Sequence, residues 1–141
     1  MTIAQIELIE GSFKKVQPIA DQAAQLFYTR LFETNPRLRP LFRGDMVEQG
    51  RKLMFMLGVA VASLRRLDQL TPGLEDLGRR HAGYGVQTQD YDTVGSALLW
   101  TLEQGLGDAF TPEVESAWGD MYSWVASTMQ RGAAKAAAVA A

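Results

Sequence analysis

His81 is the only histidine among 141 residues, and no cysteine accompanies it. It ends an apolar helical stripe in LEDLGRRHAGYG, one turn beyond Leu77 and two beyond Leu74. A lone imidazole cannot build a protein-only metal cage, which needs several nitrogen or sulfur donors. It can act as the one protein ligand to a metal that a large organic cofactor already holds. The same spacing also suits a histidine with no chemistry, buried or at the surface. Its neighbours on other stripes therefore matter. Gln49 is the polar member of a stripe shared with Leu53, Met56 or Leu57, Ala60 and Leu64, and Phe27 or Tyr28 completes the stripe of Ala20, Ala24 and Leu31. Taken alone, Tyr28 and Gln49 could equally face solvent or bond locally, and Phe42 could be an ordinary core aromatic.

Helices must position these side chains, because the hydrophobic period is helical nearly everywhere and no alternating strand run stands out. Thr2 and Gln5 form a capping-box pattern ahead of Ile3, Ile6, Ile9, Phe13 and Val16, and Pro18 ends that helix. A second helix is expected from about Ile19 to Thr34, stopped by Asn35-Pro36. The two prolines of NPRLRPLF then make a tight corner that delivers Phe42. A third helix should span about Met46 to Leu67. Thr71-Pro72 reads as an N-cap and first helical position, and Gly83 as the end of the helix carrying His81. Roughly Asp90 to Leu106 forms the next helix, closed by Gly105 and Gly107. Thr111-Pro112-Glu113 starts the last, which buries Val114, Ala117 or Trp118, Met121, Val125 and Met129. From Gly132 the tail GAAKAAAVAA has no amphipathic face and is expected to be solvated and frayed, giving a domain over 1–131 and an alanine-rich tail over 132–141.

Composition narrows the function classes. Hydrophobic residues make up 47% and charged residues 21%, enough for one all-α domain with a real core. The net charge of −2 offers no general pull on nucleic acid or anionic lipid. Without cysteine there is no disulfide, thiolate nucleophile or zinc finger, which fits a cytoplasmic protein. The start MTIAQIELIE lacks the basic and apolar regions of a signal peptide, and no apolar stretch is long enough to span a bilayer.

The motifs FYTRLFETNPRLRPLF, QGRKLM, LGRRHAGYGV and YDTVGSALL, in this order and spacing over about residues 5 to 130, resemble the globin family. The likeness is to bacterial single-domain globins, the group of the flavohaemoglobin haem domain and Vitreoscilla haemoglobin, and above all to the neuroglobin-like globins of methanotrophs. The resemblance implies the globin fold, a 3-on-3 helical sandwich around a pocket for haem b (iron protoporphyrin IX). It makes His81 the proximal iron ligand and Phe42 the phenylalanine packed flat on the porphyrin. Tyr28 and Gln49 match the distal residues facing bound oxygen, with Leu53 covering that side. Val94 and Leu98 should pack on the opposite side of the haem, and Lys52 is a candidate partner for a propionate. With one histidine, the bis-histidine state of animal neuroglobin cannot form.

What the resemblance implies is a protein that binds oxygen and other diatomic gases reversibly and tightly, as a monomer or weak homo-oligomer, not necessarily an enzyme. Two alternatives share the pocket: nitric oxide dioxygenation and gas sensing. No glycine-rich dinucleotide loop is present, so dioxygenation would need an external reductase. In the flavohaemoglobin pattern a tyrosine and a glutamate hold the proximal histidine. Tyr91 fits the tyrosine, whereas the glutamate position falls at about Ala133.

Overall fold

The computed structural model describes residues 1–140, with side chains described through Ala138. Six α-helices carry the chain, and no strand occurs among the described residues. They are α1 (Ile3–Val16), α2 (Ala20–Thr34), α3 (Met46–Ala62), α4 (Thr71–Gly83), α5 (Thr88–Leu106) and α6 (Pro112–Ala140). Helices α2, α5 and α6 pack in series, and α1, α3 and α4 lie across them, which is the three-on-three arrangement of the globin fold. No described helix is long and apolar enough to cross a membrane.

Local signals set most helix ends. Thr2 accepts the Gln5 N–H at 3.1 Å while Gln5 Oε1 accepts the Thr2 N–H at 3.0 Å, so the capping box is reciprocal. Thr111 caps α6 through the Val114 N–H at 3.2 Å, and Gly107 ends α5 at a φ of 56°, which only glycine adopts without strain. The proline corner is a 3-10 turn over Pro36–Leu41.

Three expectations are corrected. Helix α3 stops at Ala62, not near Leu67, because the Ser63 N–H is shared between the Val59 and Ala60 carbonyls and the chain tightens into a 3-10 segment, Leu64–Leu70. That segment feeds α4 directly. Thr71 is therefore the first residue of α4 and makes no capping bond, Leu70 taking the cap position.

The third correction concerns the tail. Helix α6 runs past Gly132 to Ala140, and Gly132 is buried. The contact needs no apolar stripe, since backbone meets backbone: a Cβ on Gly132 would overlap the Glu75 carbonyl of α4, and one on Gly78 would overlap the Met129 carbonyl of α6. Lys135 adds an ion pair to Glu75 at 2.6 Å.

The core gathers Ile9, Leu31, Ala117 and Trp118, all at 0% exposure. Trp118 donates its indole N–H to the Ser12 hydroxyl at 2.8 Å, so a buried polar atom is satisfied between α6 and α1. Gly50 lets α3 cross α2 closely, since a Cβ there would lie 2.9 Å from Ala24 Cβ.

The α4–α6 contact yields a prediction of opposite signs. Gly132→Ala should lose about 1–3 kcal/mol to overpacking. Gly119→Ala, also in α6 but with no atom within 4 Å of the added methyl, should gain up to about 1 kcal/mol from helix propensity. Ending the chain at Arg131 should destabilise it too. Urea unfolding of the three variants checks this, and a neutral Gly132→Ala would mean that the two helices are not locked.

Candidate functional site

His81 stands in the last turn of α4 and is half-buried. Its Nδ1 lies 2.8 Å from the Leu77 carbonyl, one turn back in the same helix. A carbonyl only accepts, so Nδ1 carries the proton and donates, and the Nε2 lone pair is left free. Burial holds the imidazole pKa below its usual value; the bond to Leu77 opposes this, and the nearby Arg80 charge reinforces it. At neutral pH the ring is thus a neutral donor with one fixed tautomer, which is what a metal ligand requires.

Helix α3 packs on α2 and α1 while α4 packs on α6, so the inward faces of α3 and α4 are not closed on one another. Side chains at core-facing helical positions are consequently only half-buried: Leu53 and Leu57 on α3, Leu77 and His81 on α4, and Val94 on α5. Met56 is 44% exposed. An apolar gap bounded by these residues suits a flat, hydrophobic prosthetic group, and the free imidazole nitrogen gives it an attachment. The residues present therefore fit the haem that the sequence implies.

Where α2 meets α3, the polar candidates come together. Tyr28 is 9% exposed, and its hydroxyl donates to the Gln49 backbone carbonyl at 3.4 Å. Gln49, in the first turns of α3, donates from Nε2 to the Arg43 carbonyl at 3.3 Å. Both bonds are long and therefore weak. Burial pushes the Tyr28 phenol up to about 12, so the group remains a neutral donor. Phe42 leaves the proline corner half-buried and meets Tyr28 edge-on, with ring centroids 5.3 Å apart, and Phe32 at 5.5 Å. Leu53 and Leu98 share the wall of a cavity of about 20 Å³ with Phe27, Leu57, Leu102 and Trp118. The polar groups beside it, Thr101 and Trp118, are bonded to Ala97 and Ser12, so the cavity is apolar. Lys52 is exposed on the outer side of α3.

No hydrogen bond joins Tyr91 to His81 among the described residues. His81 is held by Leu77, whereas Tyr91 contributes its own carbonyl, which accepts the Tyr122 hydroxyl. Tyr122 was not legible in the sequence as part of this wall. Its ring fits against α5 because Gly95 has no side chain: a Cβ there would lie 2.7 Å from Tyr122 Cε2. Also unforeseen is an ion pair between Arg37 of the proline corner and Asp90 at the start of α5. The one hint was the spacing of Gln87 and Asp90, a capping pattern that says nothing about Arg37.

A family model described as Globin matches residues 25–129. Neuroglobin from Tetraodon nigroviridis is 34% identical, over 92% of this chain and 90% of the relative. Neuroglobin from Danio rerio is 40% identical over 78% of each. Among solved structures, an engineered carbene transferase made from a putative nitric oxide dioxygenase of Rhodothermus marinus superposes with a TM-score of 0.87 at 24% identity, over 99% of this chain and 97% of the other. With the family model covering most of the chain and these relatives aligned along nearly all of it, the chain belongs to the globin family.

Proposed function

We propose that this globin holds haem b through His81 and binds oxygen reversibly, with Tyr28 and Gln49 as donors on the far side. The observation that carries the reading is the His81–Leu77 bond, which leaves Nε2 neutral and free to bind a metal. Haem, when bound through His81, would supply an iron able to take up diatomic gases reversibly.

The chain's own residues do the rest. Leu77 fixes the imidazole tautomer and ring direction through its carbonyl. Tyr28 keeps its proton, since burial raises its pKa, and its long bond to Gln49 leaves the hydroxyl free to turn toward a better acceptor. The Gln49 amide is held only at 3.3 Å and can do the same. Phe42 and Leu53 exclude water from that side, and Val94 and Leu98 support the cofactor. Lys52 is assigned to a propionate at the rim. Hydrogen bonds to an acceptor carrying charge are worth roughly 1.5–3 kcal/mol each, so a polar ligand gains more from the two donors than a less polar one.

His81→Ala should abolish stoichiometric haem uptake and lower the thermal midpoint of the reconstituted protein, because a bound ligand stabilises the fold by linkage. An absorption spectrum reads this directly; full haem content with an unchanged Soret band would end the assignment.

Tyr28→Phe and Gln49→Leu should each speed oxygen release by about tenfold or more, at about 1.4 kcal/mol per decade, with carbon monoxide release changing much less. If the two side chains work as one network, the double variant should be non-additive. Stopped-flow dissociation of both gases checks the pair, and equal changes for the two gases would show that packing, not polarity, is at work.

A further inference from the structure

Asp90 is the one charged side chain among the buried described residues, at 1% exposure. Burying a carboxylate is unfavourable unless it is paired and hydrogen-bonded. Its two oxygens have separate duties. Oδ2 accepts the Gln87 N–H at 2.8 Å and completes the capping box of α5. Oδ1 accepts from Arg37, which lies in the proline corner fifty-three positions earlier. Reaching back from N3 to the N-cap N–H requires one acceptor oxygen and no charge, and a neutral amide side chain would supply it. Capping therefore does not account for the ion pair.

Its location does. The corner carrying Arg37 leads directly into Leu41 and Phe42. Asp90, Val94 and Leu98 recur at steps of four along α5, so the carboxylate lies at the end of the stripe that walls the gap. Gln87 follows Val86, whose N–H closes on the His81 carbonyl at 3.1 Å. Corner and junction lie close together, since a Cβ on Gly85 would sit 3.5 Å from Leu41 Cδ2. The pair thus joins the segment delivering Phe42 to the junction between the His81 helix and α5.

We propose that the Arg37–Asp90 ion pair is a clasp that holds the corner against the α4–α5 junction and sets how fast haem enters and leaves the gap. The inference rests on the haem reading. Arg37 is 42% exposed while Asp90 is anchored at 1%, so water and salt reach the cationic half. Opening therefore moves the short corner and leaves the helical core intact.

The test uses the haem-loaded protein and follows haem transfer to an excess of apomyoglobin through the Soret band, alongside urea stability of each apoprotein. Arg37→Met and Asp90→Asn should each accelerate transfer by about tenfold, the double variant should be no faster than either, and Arg37→Lys should recover most of the wild-type rate. Raising salt to about 1 M should speed the wild type and leave Arg37→Met unaffected. Unchanged transfer rates, multiplicative effects in the double variant, or rates that rise only in step with lost apoprotein stability would each overturn the clasp. Should Asp90→Asn fail to fold, Arg37→Met leaves the α5 cap in place and decides alone. A wild type that takes up no haem removes both readings; one that holds haem with rates insensitive to these changes removes the clasp only.

Discussion

Two helices approach only as closely as the side chains between them allow, and at the crossing of α4 and α6 two positions, Gly78 and Gly132, have none. Gly78 and Gly132 face carbonyls of the opposite helix in a reciprocal arrangement, at Met129 and Glu75. Helix α4 is thereby drawn onto α6 and away from α3. Between these two packings, apolar side chains of α3, α4 and α5 that would be closed over in an ordinary core stay only half-buried. Interiors are normally close-packed. A fold that keeps such faces apart by backbone contact elsewhere is built around something the chain itself does not supply.

Within that frame each site residue is fixed by a neighbour of its own. The Leu77 carbonyl orients His81, the aromatic cluster of Phe27, Phe32 and Phe42 surrounds Tyr28, and Asp45 caps α3 just ahead of Gln49 through the Val47 N–H at 2.9 Å. The donors on the far side are held by long bonds, and the histidine by a short one. On the haem reading proposed above, rigidity is concentrated on the side assigned to the metal, and adaptability on the side assigned to the changing ligand.

Features that depend on local chemistry were legible in the sequence. Thr2 with Gln5, Thr111 with Pro112, and Gly107 announce helix ends within a few residues. His81 was conspicuous because nothing competed with it. Phe42 followed from two prolines. What escaped depends on partners distant in sequence or on the backbone itself. The period through Leu64 and Leu67 looked like continued helix, although the chain changes to 3-10 at Ser63. Gly132 began a tract with no apolar stripe, and its burial comes from having no side chain, a signal that hydrophobic patterning cannot carry. Arg37 and Asp90 stand fifty-three positions apart, and no local pattern pairs them.

The crossing of α4 and α6 also bears on the order in which the molecule can be completed. Gly132 is synthesised more than fifty residues after Gly78, so when the histidine-bearing helix leaves the ribosome the surface it leans on does not yet exist. Domains build from the N-terminus as synthesis proceeds, at roughly 5–20 residues per second. For several seconds α4 is a short amphipathic segment without a support, and short isolated helices are marginal in water. The His81 helix therefore gains its support only once Gly132 has been made, and on the haem reading proposed above haem capture belongs to the chain that has reached that point.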